Sequence, residues 1–317
     1  MKFSEKDLQR YAQPLPKTEE EKCKNAIEQV CDALQRYGFS LSDKAVSLLV
    51  EGSYSYARTM CDNTGAKVTI FIQGSYANDT CIAYESDVDI AIIRNDIHDS
   101  LFDSIYKQPY CTHKKEAESL KEYVQWSLKD KFQEVTRGNK SIKIPGNSNR
   151  ISTDVVPCIE LTYYPNSENH DYLTYFEGTV IYADDGTKIV NFPKLHIFNA
   201  KNKDYVTDGK FKKMVRVAKE MRSIMECCYR SAREISSFEI ESLLYNVPDK
   251  VYAKYSHYYA FIFNEVVSYL YSNLHNVKYF NEVNDIKPLC LDPSREKVLQ
   301  SFISDLKKFY EYDLTKA

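Results

Sequence analysis

No stretch of this sequence approaches the roughly eighteen uninterrupted apolar residues that a bilayer-spanning helix needs. The opening MKFSEKDLQRYAQPLPKTEEEK also lacks the apolar centre of a secretory signal. The expectation is a cytosolic protein with no membrane contact. Positive charge is not in excess either: 42 Lys and Arg stand against 45 Asp and Glu, for a net charge of -3 and a pI near 6.1. A chain-wide basic field of the kind that supplies affinity for long nucleic acids is therefore excluded, and no long nucleic acid is expected as a partner. Cys-x-x-Cys pairs are absent. The nine cysteines, at 23, 31, 61, 81, 111, 158, 227, 228 and 290, are scattered and odd in number, which fits reduced thiols rather than a disulfide framework or a structural zinc site. Vicinal Cys227 and Cys228 fall in a helical pattern and read as packing residues. No internal repeat is visible, and the loop-like stretches poor in apolar residues are RGNKSIKIPGNSNR and PNSENHD.

What is present is enough apolar content, 43% of 317 residues, to bury a sizeable core in one large domain or two lobes. Thr18 followed by three glutamates reads as a helix start, with Ile27, Val30 and Leu34 continuing it toward Gly38. A second helix is expected from Ser42 through Met60. KVTIFIQ (67–73) and DVDIAII (87–93) are short β-branched runs separated by turn-rich sequence and read as paired strands. A helix over 114–132 follows, then a strand over 150–164. The segment 179–192 reads as a hairpin around an Asp-Asp-Gly turn. From Asp208 onward the pattern is almost wholly helical.

One segment breaks the strand pattern. In FIQGSYANDTCIAYESDVDIAIIR (71–94) a Gly-Ser pair is followed twelve residues later by Asp-x-Asp inside an apolar run. Strand alternation sends Asp87 and Asp89 to one face and Val88 and Ile90 to the other. Two carboxylates sharing a face repel, and their natural neutraliser is a divalent cation; oxygen-only ligands suit Mg2+ or Mn2+ rather than zinc. STDVVP offers a third carboxylate, Asp154. Three convergent acids hold two metals in the clamp used for in-line phosphoryl displacement. Gly74 and Ser75 sit where a strand ends and a short helix begins, a place where backbone N–H groups and a hydroxyl grip phosphate. Alone, Asp-x-Asp also suits a solvated edge and Gly-Ser a simple turn. The ordered combination is what points to chemistry.

These residues resemble nucleotidyltransferases of the polymerase-β-like superfamily, in which Gly-Ser precedes Asp-x-Asp and a later Asp completes the metal site. The blocks RISTDVVPCIEL, IVNFPKLHIFNAKN, DGKFKKMVRVAKEMR and SSFEIESLLYNVPD are similar to successive blocks of the bacterial cGAS/DncV-like nucleotidyltransferases, the CD-NTases of anti-phage signalling systems. The resemblance spans about residues 40 to 250. It implies an α+β fold, with a mixed-sheet catalytic lobe over 1–200 including the N-terminal helices, a helical lobe over 201–317, and an active site in the cleft. It further implies that Asp87, Asp89 and Asp154 are the catalytic, metal-binding acids for two Mg2+ or Mn2+ ions, and that Gly74 and Ser75 bind donor phosphates. The implied activity joins nucleoside triphosphates into cyclic di- or trinucleotides.

A basic island, residues 201–233, carries ten Lys or Arg against four Asp or Glu. Lys212 stands where the family places a lysine contacting the triphosphate, and Ser237 where it places a phosphate-contacting serine. Arg216 and Lys219 read as a solvated face. Phe238 is either a stacking platform for a base or a core aromatic between helices. Asn191 presents a donor and an acceptor able to read a base edge, and some family members that accept uridine carry Asn near this position; a strand-end cap is the other role. His196 reads as structural, and the Tyr-rich segment 251–272 as a core helix. The terminal DLTKA is compatible with a tail conjugated by a ligase-like partner, and a nearby-encoded, cyclic-nucleotide-responsive effector is the expected indirect partner. The competing readings are a template-independent enzyme modifying an RNA end or other hydroxyl, and a nucleotide-binding sensor without turnover. Three intact acids count against the sensor.

Overall fold

The computed structural model describes residues 3–43, 45–82, 87–102, 112–165, 174–254 and 258–310. Along the chain come α1 (Glu5–Tyr11), α2 (Lys17–Gln35), β1 (Ser40–Leu41), β2 (Ser47–Leu48), β3 (Tyr56–Cys61), β4 (Lys67–Gln73) and α3 (Gly74–Ala77). There follow β5 (Val88–Phe102), α4 (Lys114–Lys131), β6 (Thr136–Arg137), β7 (Ile142–Ile144), β8 (Thr153–Tyr164), β9 (Phe176–Tyr182) and β10 (Lys188–Asn191). The remainder is helical: α5 (Pro193–Val206), α6 (Lys210–Met225), α7 (Arg230–Glu234), α8 (Ser237–Tyr245), α9 (Asp249–Ala253), α10 (Tyr259–Ser272) and α11 (Pro293–Phe309). Two compact units result. One comprises residues 16–77 and 86–197, and the other residues 1–15, 78–85 and 198–317.

The first unit is built on a mixed sheet in the order β1-β3-β4-β5-β8-β7-β6, with β9 joining β8 to β10 and β2 beside β3. β4, β5 and β8 are its interior strands, so they read as near-continuous apolar runs buried on both faces. β5 and β8 run parallel and are connected through α4, the crossover that parallel pairing requires. On one face Ala117 of α4 packs with Ile159, Val180 and Tyr182. On the other, Ala57, Phe71, Ala91, Val156, Cys158 and Ile181 form an apolar floor. The Asp-Asp-Gly hairpin forms as expected, with Lys188 opposite Tyr182 and Asn191 opposite Thr179. Asp184 at its turn accepts from Lys121 of α4 at 2.9 Å and from Arg137 of β6 at 2.8 Å, tying helix, hairpin and strand together.

The second unit wraps α6, whose buried stripe Phe211, Met214, Val215, Ala218 and Met221 meets Leu8 of α1, Ile240 and Leu243 of α8, Phe263 of α10 and Phe302 of α11 in one core. α10 buries Ala260, Ile262, Phe263, Val266, Val267 and Leu270, the core role expected for the Tyr-rich segment. No helix among the described residues is long and apolar enough to cross a membrane.

Five expectations are corrected. The helix expected over 42–60 is absent among the described residues: β2 and β3 stand there instead. Asp62 Oδ1 accepts from the backbone of Thr64 and Ala66, closing the turn that folds β3 back onto β4. Sheet pairing at that hairpin overrides helical spacing. RGNKSIKIPGNSNR is not simply loop, because Ile142–Ile144 pairs with β8 as a strand. The segment 251–272 is two helices rather than one, α9 and α10, with 255–257 outside the described residues. Arg216 and Lys219 are buried, not solvated, since the carbonyls of Ala12, Asp79 and Thr80 give them internal acceptors. Cys227 and Cys228 lie beyond the end of α6 and are exposed, so neither packs a core. PNSENHD falls outside the described residues apart from Pro165.

Candidate active site

The central feature is a row across four strands. Gln73 of β4 faces Asp89 of β5, Asp89 faces Asp154 of β8, and Asp154 faces Lys143 of β7. Residues directly opposite in register present side chains to the same face. Two carboxylates thus become neighbours although 65 positions separate them in sequence. Alternation puts Ala91, Val156 and Cys158 on that face as well, so the acids stand at the strand-end edge of an apolar floor.

Asp87 differs from the expectation. β5 starts at Val88, whose N–H donates to Ser152 O at 2.8 Å, so Asp87 precedes the strand. Its carboxylate accepts from the Lys143 ammonium, reaching over from β7. Burial by itself would push the Asp87 carboxyl up, but hydrogen bonds from Lys143 and Ser152 more than offset it and hold the group below the usual carboxylate range. Asp154 shifts the opposite way. Burial raises it first, and the charge of Asp87 adds to that, only partly countered by Lys143 and a hydrogen bond from Ser141. Asp154 is therefore held above the usual carboxylate range by burial and by the Asp87 charge together.

Gly74 opens α3 directly after β4 with φ +68, in the left-handed region that glycine favours. A Cβ there would lie 2.4 Å from Asp89 Oδ2, so the glycine makes room for the carboxylate. Ser75 is the next residue of α3. Asn191 ends β10 and shares a face with Ile189, which packs on the apolar floor below the acids. Thr179, its register partner, lines a cavity of about 180 Å³ together with Asn95 and Glu160.

The structure brings Gly74, Ser75, Asp87, Asp89, Asp154 and Asn191 into the sheet unit; Lys212, Ser237 and Phe238 belong to the helical unit. Lys212 lies in the first turn of α6, largely buried, with its N–H donating to Asp204 Oδ1 at 3.0 Å. Ser236 caps α8 in a capping box with Glu239, which leaves Ser237 as the first helical residue; its hydroxyl accepts from Arg222 Nη2 at 3.3 Å. Phe238 beside it is 41% exposed, which removes the core-aromatic alternative. His196 is buried.

Sequence reading passed over Lys143. Its signal was the Ile-Lys-Ile alternation between Gly138 and Pro145-Gly146, too short to outweigh the polar surroundings.

The donor chemistry fits a hard divalent cation: carboxylate oxygens in adjacent register and an amine drawn to the neighbouring Asp87. Among the described residues no three His, Cys, Asp or Glu side chains are gathered as a finished ligand set, and the Asp87 carboxylate turns to Lys143 instead.

Residues 198–311 match the cGAS/DncV-like nucleotidyltransferase C-terminal helical domain. The chain is 34% identical to the cyclic GMP-AMP synthase CdnE03 of Staphylococcus schleiferi, covering 98% of both chains. It is 31% identical to a cyclic dipurine nucleotide synthase of Elizabethkingia meningoseptica, over 90% of this chain and 89% of the relative. Its fold superimposes with a TM-score of 0.75, at 29% identity, on the solved Elizabethkingia meningoseptica CdnE cyclic dinucleotide synthase with GTP and Apcpp, covering 98% of this chain and 100% of the other. Sheet order, acidic row and helical unit lead to one assignment: this chain is an enzyme of the bacterial cGAS/DncV-like nucleotidyltransferase family, with the polymerase-β-like fold.

Proposed function

We propose that the enzyme joins ribonucleoside triphosphates into a cyclic di- or trinucleotide second messenger of bacterial anti-phage signalling, releasing pyrophosphate at each step. The observation that carries this reading is the row Gln73, Asp89, Asp154 and Lys143 with Gly74 packed against Asp89. The curated relatives named above, both cyclic nucleotide synthases, support it over an RNA-modifying enzyme, as does the acidic pI near 6.1.

In this reading Asp87, Asp89 and Asp154 hold two Mg2+ or Mn2+ ions, which when bound lower the pKa of the acceptor hydroxyl and neutralise charge on the transferring phosphoryl group. The backbone of Gly74 and the hydroxyl of Ser75 orient the donor phosphates. Lys212 and Ser237 bind the triphosphate from the helical unit, where Phe238 offers its exposed ring to a base. Asn191 reads a base edge. The acceptor ribose oxygen forms its bond to the α-phosphorus as the bond to the pyrophosphate oxygen breaks. The linear product then re-enters the same site and closes on itself. A cyclic-nucleotide-responsive effector receives the product in the cytoplasm.

The test is pyrophosphate release by wild-type protein and by the double variant Asp87→Asn/Asp89→Asn, with Mg2+ or Mn2+ present. The variant is expected to lose turnover by about 10³-fold or more while remaining folded, with a melting temperature lowered by no more than the loss of the half-exposed Lys143–Asp87 ion pair accounts for. Substantial residual release would rule out this site.

A further inference from the structure

Lys143 is given no role in binding or transfer above, yet it stands inside the acidic row. It comes from β7, eleven residues before Asp154 in sequence, and the antiparallel register sets it directly beside that residue. Its ammonium then reaches the Asp87 carboxylate, outside the strand. The side chain is 50% exposed, so its flexible stem can swing into solvent without opening a cavity. Arg150, the next cation along the chain, is turned away: its guanidinium donates to Pro145 O and Gln29 and lies 4.5 Å from the Phe132 ring.

An ordinary ion pair bracing the β7 edge would account for the contact with Asp87 alone. It would not account for a placement that puts one cation against two of the three acids. We infer that Lys143 is an internal counter-ion: its ammonium occupies the acidic row in the nucleotide-free enzyme, and a divalent cation enters by displacing it. Cation uptake and lysine withdrawal are then one exchange. Lys143 is a positioning residue that holds Asp87 beside Asp154 while they lack a metal and weakens the site for free cations. This rests on the metal-binding role proposed for Asp87, Asp89 and Asp154.

The experiment titrates Mn2+ into full-length, nucleotide-free protein and follows the free-ion signal by electron paramagnetic resonance. Lys143→Met and Lys143→Gln are expected to bind Mn2+ about fivefold more tightly than wild type, the loss of one half-exposed competing charge. Lys143→Arg, which keeps the charge, is expected to bind as wild type does. Adding Asp89→Asn/Asp154→Asn should abolish binding in either background. In chelator, the Met and Gln variants should melt below wild type and gain more from added Mn2+. Unchanged or weaker Mn2+ binding in both neutral variants, with the acid variants still losing it, would overturn the exchange and leave the metal site standing. Acid variants that bind Mn2+ as wild type does would remove the metal site and the exchange together.

Discussion

Gly74 is where a single methyl group is predicted to matter most. With φ +68 and Asp89 Oδ2 only 2.4 Å from the position of a Cβ, Gly74→Ala combines backbone strain with displacement of the carboxylate proposed to hold metal. The expected cost is about 1–2 kcal/mol of stability, read from the urea midpoint. A misplacement of this kind costs about a hundredfold in pyrophosphate release. A rate within a few-fold of wild type would show that Asp89 works from elsewhere. At this scale the sequence was legible where the signal was local. Gly-Ser before Asp-x-Asp reports a strand, a turn and a second strand, and the structure has β4, α3 and β5 there. Lys143 was illegible because its partners are Asp87, 56 positions away, and Asp154, reached only through β7–β8 pairing. Asp87 was misplaced by one residue: alternation predicts a face but not where a strand begins.

The elements show the same division between local and distant causes. KVTIFIQ and the helix over 114–132 were read almost to the residue, because their period is set within the segment. The segment 42–60 was misread because its conformation is decided by pairing with β4 across the Asp62 turn. α6 is the most instructive case, since its charges looked like a solvated face yet Arg216 and Lys219 are buried. Lys219 Nζ donates to Thr80 O at 2.9 Å and lies 3.8 Å from Glu241 Oε2, while Arg216 Nε donates to Ala12 O at 2.8 Å. These two side chains clamp α1, the segment after α3, and α8 onto one helix. Lys219→Met removes the buried ammonium that lies 3.8 Å from Glu241 Oε2 and donates to Thr80 O, and is expected to destabilise the protein by about 3 kcal/mol in urea unfolding. The double variant Lys219→Met/Glu241→Gln should recover part of that loss. A single variant as stable as wild type would mean that the Lys219 contacts with Thr80 and Glu241 add nothing to the fold.

For the whole molecule, charge is allotted by unit rather than spread. A chain with net charge -3 places its basic surplus within 201–233 and spends part of it inside the helical core. Asp89 and Asp154 stand in one row of the sheet, where the same face presents an apolar floor. Composition excluded a polyanion-coating protein, and the motif order indicated phosphoryl chemistry. Neither names the product, because base choice depends on which side chains the fold brings together rather than on any local pattern. The most direct measurement is therefore incubation of the purified protein with all four ribonucleoside triphosphates and Mg2+ or Mn2+, followed by phosphatase treatment and mass spectrometry. A phosphatase-resistant cyclic oligonucleotide, lost in Asp87→Asn/Asp89→Asn, is the predicted result. Pyrophosphate release that yields only linear, phosphatase-sensitive products, or triphosphate binding with no release at all, would contradict the account.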